Sequence, residues 1–167
     1  MKWVGVSGSW RTTCPELEVD LGREVKSVLD RGDGIVSGGA LAVDYEATAL
    51  SLGRFPDGSR LKVILPTTLD LYAAHYRKRA GEGVITSNQA EKLIKQLELV
   101  ERVGSLVPMH YKAVDLKNYF HRNTKVVEES DELLAFQVNA SAGVQDTIDK
   151  AKDKGIYVKL FTYEVEE

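Results

Sequence analysis

Apolar residues follow two alternating patterns along this chain. Short apolar runs of strand length alternate with longer segments in which apolar residues recur every three or four positions. The first pattern is typical of strands buried on both faces of a parallel sheet, and the second is typical of helices that cover such a sheet. The sequence therefore predicts an α/β, Rossmann-like three-layer fold, in which a mainly parallel sheet is flanked by helices.

Five strands are predicted from the short apolar runs. They span residues 3–6, 35–36, 61–65, 132–136 and 156–161. Leu106 and Val107 fit either a sixth, short strand or an extended loop, because Pro108 follows them and proline cannot donate a hydrogen bond to a sheet. The pattern leaves both alternatives open.

The segments of helical period predict the helices. The first begins near Pro15, and the others span residues 42–52, 69–80, 86–103, 116–130 and 144–154. Thr86 and Gln89 have the spacing of a capping box, in which each side chain binds the other residue's backbone amide. Gly155 ends the last helix, and the acidic residues 164–167 are expected to fray.

The composition fits one folded domain over residues 1–167. The chain has 43% hydrophobic and 28% charged residues, and a chain of 167 residues rarely divides into two cores. No apolar stretch reaches the roughly 20 residues that span a bilayer. The single Cys14 is expected to be a small packed residue in a reducing compartment. These features predict a cytoplasmic protein without a membrane partner.

The charge argues against nucleic acid as the first expectation. The net charge is −3 and the isoelectric point is about 5.7, so no overall positive field attracts a polyanion. The densest basic cluster runs from His75 to Arg79 on a predicted helix, where such runs usually form a solvated face. A local basic patch that binds single-stranded DNA remains the alternative.

Ligands of open parallel sheets bind beyond the carboxyl ends of the strands, so the loops that leave the strands are the candidate site. After the first strand, Gly8 lets the backbone approach a ligand, while Ser9 and Arg11 are suited to phosphate. A plain turn capped by serine explains the same residues equally well. Trp10 either stacks on a base or, as is commoner for tryptophan, covers the edge of the core.

The second loop contains Ser37, Gly38 and Gly39 and opens a helix, whose first amides form an anion site in outline. Asp44 lies in the first turn of that helix, where it either complements the helix dipole or binds the hydroxyls or the base of a ligand. The glycines do not form the G-x-G-x-x-G fingerprint, and no acidic residue ends the second strand. No nicotinamide dinucleotide or other cofactor is therefore expected.

Two further loops complete the predicted crevice. After the third strand, Thr67 supplies a hydroxyl, and either Thr68 or Asp70 is expected mainly to cap the next helix. Ser141 and Gly143 lie at the start of the last helix, where free amides are suited to a second phosphate group. Two helix amino ends would then converge on one ligand.

These loops, in this order, resemble the SLOG superfamily, and within it the Rossmann-like domain of the DNA-processing protein A family. The resemblance covers most of the chain. It rests on Gly8-Ser9 with Arg11, the stretch from Ile35 to Asp44, Val63 to Asp70, Phe120-His121-Arg122-Asn123, and Ser130-Asp131 before Ser141-x-Gly143. The resemblance implies a Rossmann-like fold, self-association into a homo-oligomer, and a place for Arg122, with Asn123 beside it, near the ligand crevice.

LOG-type phosphoribohydrolases belong to the same superfamily and share the order of Arg122, Asp131 and Gly143. Their Pro-Gly-Gly-x-Gly-Thr-x-x-Glu signature is not present in this sequence. Asp146 stands as a shorter counterpart of the catalytic glutamate of that group. The resemblance therefore supports ligand binding more strongly than hydrolysis.

Three hypotheses follow from the sequence. The first is a protein that binds a nucleotide or nucleotide-derived small molecule in the crevice. The second is an enzyme that cleaves an N-glycosidic or phosphoester bond, with Asp44 or Asp146 as the acid or base. The third is a module for single-stranded nucleic acid that uses Arg77, Lys78 and Arg79. No catalytic residue is assigned, and no metal is expected because the three histidines lack metal-ligand spacing.

Overall fold

The computed structural model describes residues 1–166, which contain one sheet of six strands, all parallel. The strands are β1 (Trp3–Gly8), β2 (Gly34–Ser37), β3 (Leu61–Leu65), β4 (Leu106–Pro108), β5 (Glu132–Val138) and β6 (Tyr157–Tyr163). Their order across the sheet is β4-β3-β2-β1-β5-β6. The predicted α/β, Rossmann-like fold is confirmed, and the sheet is parallel throughout.

Helices connect the strands and cover both faces of the sheet. They are α1 (Pro15–Asp30), α2 (Val43–Arg54), α3 (Leu69–Gly81), α4 (Ser87–Arg102), α5 (Leu116–Glu128) and α6 (Ala142–Lys154). The predicted capping box is present at the start of α4: Thr86 Oγ1 accepts from the amide of Gln89 at 3.0 Å, and Gln89 Oε1 accepts from the amide of Thr86 at 2.8 Å. None of the helices in residues 1–166 combines the length and apolarity needed to cross a membrane.

Alternate residues of the strands enter the two halves of the core, as the period of two along a strand requires. In β5, Leu134 and Phe136 pack with the apolar face of α1, while Leu133 and Ala135 pack with α6. Burying a leucine or phenylalanine side chain contributes about 1.5–3 kcal/mol, so this two-sided packing fixes the sheet between its helices.

Leu106 and Val107 form a strand, which decides between the two alternatives left by the sequence. Strand β4 pairs with β3 and lies at one edge of the sheet, with Leu65 opposite Pro108. Proline is tolerated there because an edge strand has one side without a neighbour.

Strand β1 lies at the point where the direction of strand order reverses. It pairs with β2 on one side and with β5 on the other, so that Val4 is opposite both Ile35 and Glu132. The chain builds β1 to β4 outward in one direction and then returns to add β5 and β6 on the other side. The crevice beyond the carboxyl ends of β1 and β5 is therefore the topological switch point.

The segment after β6 is tied to the loop after β5. The amide of Val165 donates to Asn139 Oδ1 at 2.8 Å, and Asn139 Nδ2 donates to the carbonyl oxygen of Val165 at 2.7 Å. The expected fraying therefore does not apply to Val165, and Glu167 lies outside the described residues.

Candidate ligand cleft

A cleft opens at the switch point, beyond the carboxyl ends of β1, β2 and β5. Its volume is about 630 Å³, within the roughly 300–1,000 Å³ typical of small-molecule sites. Residues from α3 and α5 form its other walls. Predicted site residues that line the cleft are Gly8, Ser9, Arg11, Gly38, Asp44, Arg122, Asn123, Ser141 and Gly143.

The other three predicted site residues, Ser37, Gly39 and Thr67, are buried and take part in local packing. The hydroxyl of Ser37 is 3.2 Å from that of Thr48 on α2. Gly39 has a φ of 72°, and a Cβ there would lie 2.5 Å from Leu65 Cδ2. Thr67 Oγ1 donates to the carbonyl oxygen of Tyr111 at 2.5 Å. The structure therefore does not bring these three residues to the cleft lining.

Arg122 projects from α5 into the floor of the cleft and is only 9% exposed. Its guanidinium donates from Nη1 to the carbonyl oxygen of Gly38 and from Nε to Asn123 Oδ1, the second bond at 3.2 Å. The ring of Tyr119 lies 5.2 Å from the guanidinium carbon, one helical turn earlier. These contacts hold a permanently charged group against the floor of the cleft.

Asp44 lies in the first turn of α2 and is 6% exposed. Its carboxylate accepts from the amide of Ala40 at 3.2 Å. Burial raises the pKa of this carboxyl, while the charge of Arg122 and the amides of Ala40 and Gly38 act in the opposite direction. A buried carboxyl with a raised pKa in a cleft is a frequent property of functional sites.

The amino end of α6 borders the cleft with free backbone donors. Ser141 is the N-cap residue and makes no side-chain cap hydrogen bond. The first amides of a helix have no partner within the helix, and they lie at its positive end. Asn123 Nδ2 holds this turn against α5 through the carbonyl oxygen of Gly143, at 3.4 Å, and Asp146 Oδ2, at 3.2 Å.

Asp146, the second acid-base candidate, does not line the cleft, and its carboxylate is already bound by neighbouring side chains. Lys150 Nζ lies 2.8 Å from its Oδ2 and also donates to the carbonyl oxygen of Phe120 at 2.6 Å. With Asn123 on the same oxygen, Asp146 joins α5 to α6. Asp44 is therefore the better placed carboxylate for contact with a ligand.

The loop after β1 is held in a fixed shape. Ser9 Oγ accepts from the amide of Thr12 at 2.8 Å, and the carbonyl oxygen of Ser9 accepts from the amide of Val43 at 3.2 Å. A Cβ on Gly8 would lie 2.6 Å from the side chain of Val43, so only glycine allows this approach of β1 to α2. The exposed Arg11 lies over the ring of Trp10, 5.1 Å from its centroid. Both sequence interpretations of the loop thus describe part of it: Ser9 caps the turn, and the loop lines the cleft.

Trp10, His75, Tyr76 and Tyr119 form an aromatic wall on one side of the cleft. The centroids of Trp10 and Tyr76 are 6.5 Å apart, and those of His75 and Tyr119 are 6.3 Å apart. Burial raises the pKa values of Tyr76 and Tyr119, so both hydroxyls remain protonated donors. Burial also lowers the pKa of His75, so its ring is neutral at pH 7.

The sequence analysis missed this wall because three of its residues come from helices and not from strand-end loops. The basic cluster was assigned to a solvated face, which describes Arg77 and Lys78 but not the whole cluster. His75, Tyr76 and Arg79 line the cleft. His75 and Arg79 are four residues apart and therefore lie on the same face of the helix. This spacing was the one sequence feature that could have indicated a helix face bordering the cleft.

Solved structures with the same architecture were found. DNA-processing protein A from Helicobacter pylori, described for its single-stranded DNA binding mode, superposes with a TM-score of 0.68 at 19% identity, over 99% of this chain and 67% of that one. The molybdenum cofactor carrier protein from Chlamydomonas reinhardtii superposes with a TM-score of 0.51 at 16% identity. The match covers 98% of this chain and 79% of that protein. DNA-processing protein A from Streptococcus pneumoniae gives 0.53 at 14% identity, over 95% of this chain and 58% of its own.

This chain has the same Rossmann-like fold as these proteins. At these identities the likeness concerns the fold alone. No family model and no curated protein matches the sequence.

Arg122 lines the cleft and, at 9% exposure, is not an exposed surface residue. Cys14 is half-buried, occupies the N-cap position of α1 and packs against the core. Within residues 1–166, no three histidine, cysteine, aspartate or glutamate side chains are grouped in a way that would hold a metal ion.

Proposed function

We propose that the cleft binds a nucleotide or nucleotide-derived small molecule through its phosphate and sugar. The observation that carries this proposal is the pair of oppositely charged, buried side chains, Arg122 and Asp44, on the floor of a cleft at the switch point. Burying a charge is unfavourable unless it is paired, and these two charges offset each other while both line the cleft, where a ligand can contact them. Arg122 can donate to ligand oxygens, and Asp44 can accept from ligand hydroxyls.

The phosphate is assigned to the end of the cleft formed by α6 and the loop after β1. Backbone amides near Ser141 and Gly143 lie at the positive end of a helix, which favours an anion. Arg11 and Ser9 face the same space from β1. Arg11, Arg79 and Arg122 make the cleft locally cationic, although the chain as a whole carries a net charge of −3.

The structural neighbours agree with a ligand site in this class of fold. One binds single-stranded DNA, and another carries a molybdenum cofactor. These roles belong to those proteins. For this chain they support a small-molecule or nucleic-acid ligand and leave its identity to experiment.

A calorimetric titration with nucleoside monophosphates tests the proposal. Arg11→Gln should weaken binding about ten-fold, because a hydrogen bond to a charged group is worth roughly 1.5–3 kcal/mol. Lys78→Gln is the matched control: it removes the same charge from an exposed position on α3 that does not line the cleft. Equal loss in both variants would indicate a general charge effect, and binding by neither wild type nor variants would refute the proposal.

Hydrolysis of the bound nucleotide is a second candidate function. It is favoured by the raised pKa of Asp44, since a carboxyl whose pKa is raised toward neutral pH transfers protons more effectively there than an ordinary aspartate. Chromatography of nucleotides after incubation with wild type and Asp44→Asn tests it. Release of a base or sugar phosphate by the wild type alone would establish catalysis, and intact nucleotides in both samples would leave binding as the function.

Single-stranded DNA is the remaining alternative ligand. A labelled oligonucleotide titrated at low and high salt distinguishes it, because contacts with several phosphates make affinity steeply salt-dependent. Self-association and a cytoplasmic location also remain predictions, and light scattering on the purified chain tests the first of them.

A further inference from the structure

Helix α5 crosses the floor of the cleft and contacts a different wall at each end of a single turn. Asn123 binds the first turn of α6 through the carbonyl oxygen of Gly143 at 3.4 Å. Arg122 binds the loop after β2 through the carbonyl oxygen of Gly38. Tyr119, one turn earlier, packs on His75 of α3 at 6.3 Å between centroids. Tyr119 and Asn123 are four residues apart and so lie on the same face of α5, which places the aromatic residues and the first turn of α6 on two sides of Arg122.

We infer that the aromatic wall binds the base of a nucleoside monophosphate whose phosphate lies at α6. This inference rests on the proposed function and adds where each part of the ligand lies. The wall consists of Trp10, His75, Tyr76 and Tyr119, and the charged pair Arg122 and Asp44 is left beside the sugar between the two ends. Aromatic side chains bind bases by stacking and edge contacts, and they accept any base because each has a π-face.

The polar atoms of the wall suit the edge of a base better than a second phosphate. The hydroxyl of Tyr119 has no hydrogen-bond partner among residues 1–166, and that of Tyr76 is near only the hydroxyl of Tyr72, at 3.4 Å. Both hydroxyls remain protonated, and His75 is neutral at pH 7. The wall therefore offers neutral hydrogen-bonding groups set in apolar surface.

An aliphatic ligand would fit the wall less well. Such a ligand would make no hydrogen bond with the hydroxyls of Tyr119 and Tyr76. A planar base contributes both an apolar face and polar edges. Arg79, which lines the same side of the cleft, adds a planar guanidinium that also stacks on bases.

The test compares adenosine 5′-monophosphate with ribose 5-phosphate, which lacks the base, by calorimetry. The wild type should bind the nucleotide at least about ten-fold more tightly, as expected for stacking on an aromatic side chain. Tyr119→Leu should weaken the binding of the nucleotide more than that of ribose 5-phosphate and so remove most of that difference. Tyr119→Phe, which keeps the ring, should retain most of it.

A second variant covers the case in which Tyr119→Leu does not fold. His75→Ala changes a half-buried residue of the same wall and should also reduce nucleotide affinity relative to ribose 5-phosphate. Equal affinity of the wild type for the two ligands would overturn the assignment of the base and leave the phosphate site intact. If neither ligand binds, the proposed function itself fails, so the two failures are distinguishable.

Discussion

The guanidinium of Arg122 donates a hydrogen bond to the carbonyl oxygen of Gly38, a residue 84 positions earlier in the chain. This bond joins α5, which covers one face of the sheet, to the loop that leaves β2. It fixes the side chain that we place against the ligand. Several expected outcomes depend on this contact and on the groups around it.

Gly38→Ala should destabilise the protein and weaken ligand binding. A Cβ at this position would lie 2.7 Å from Cζ and Nη1 of Arg122, and this guanidinium is buried and cannot move freely. Overpacking of this kind typically costs about 1–3 kcal/mol. Urea unfolding measures the loss, and calorimetry measures the binding.

Gly53→Ala is the control for that substitution. Gly53 lies inside α2, and a Cβ there would meet no atom within 4 Å. Alanine is favoured over glycine in a helix by about 0.5–1 kcal/mol, so this variant should be more stable than the wild type. A comparable loss of stability in both variants would contradict the role of the Arg122 contact.

Asp44→Asn should stabilise the protein at neutral pH and abolish binding. The pKa of Asp44 in the folded state is raised from its ordinary value of 3.8, chiefly by burial. The folded protein therefore binds this proton more tightly than the unfolded chain, and stability falls as pH rises from about 3.8 through the folded pKa. The free energy of unfolding of the variant should not decrease with pH in this way, and at pH 7 it should exceed that of the wild type by about 1 kcal/mol.

Urea unfolding of wild type and Asp44→Asn from pH 4 to pH 8 checks this expectation. The difference between the two free energies of unfolding should widen toward higher pH and be smallest near pH 4. A difference that does not change with pH would show that Asp44 is not a strained, ionised carboxylate.

His75 should titrate below its ordinary pKa of 6.5, because burial and the charges of Arg79 and Lys78 disfavour its protonated form. The unfolded chain then binds this proton more readily than the folded protein. Stability should therefore decrease as pH falls below about 6.5 toward the folded pKa. Proton NMR follows the three histidines directly, and His75→Gln identifies the signal. A midpoint above 6.5 for that signal would contradict the burial of the ring.

Thr86→Ala should destabilise the protein by about 1 kcal/mol, the usual effect of losing an N-cap. Thr86 forms both halves of a capping box with Gln89 at 3.0 and 2.8 Å. Thr68→Ala, at the start of α3, is the comparison, because its single cap bond is 3.4 Å long. Thermal unfolding of both variants should show a smaller loss for Thr68→Ala, and the reverse order would refute the argument from cap geometry.

The sequence predicted the strand-end part of the cleft because parallel strands carry their carboxyl ends to one edge of a sheet. Ser9, Gly38 and Ser141 could therefore be grouped without knowing any distance. Thr67 shows the limit of that rule. It follows β3, which is separated from β1 by β2 and so lies farther from the switch point. Its hydroxyl donates to the carbonyl oxygen of Tyr111 instead of facing the cleft.

The residues contributed by helices were harder to predict. The pattern of apolar positions predicts which face of a helix packs on the sheet. It does not predict which residues beside that face border a cleft. Arg122 was assigned to the crevice through a family resemblance, since composition alone favours an exposed arginine. Tyr119 and His75 belong to no strand-end loop, and their proximity depends on how α3 and α5 approach each other.

The pairing of β1 with β5 determines when the cleft comes into existence during synthesis. The amide of Trp3 donates to Asp131 Oδ2 at 2.8 Å, across 128 positions of sequence. A nascent chain thus exposes the Ser9 loop long before α6 has left the ribosome. The ligand that we propose therefore cannot assist the early steps of folding, and its binding would report that β1 has paired with β5 and that α6 has formed.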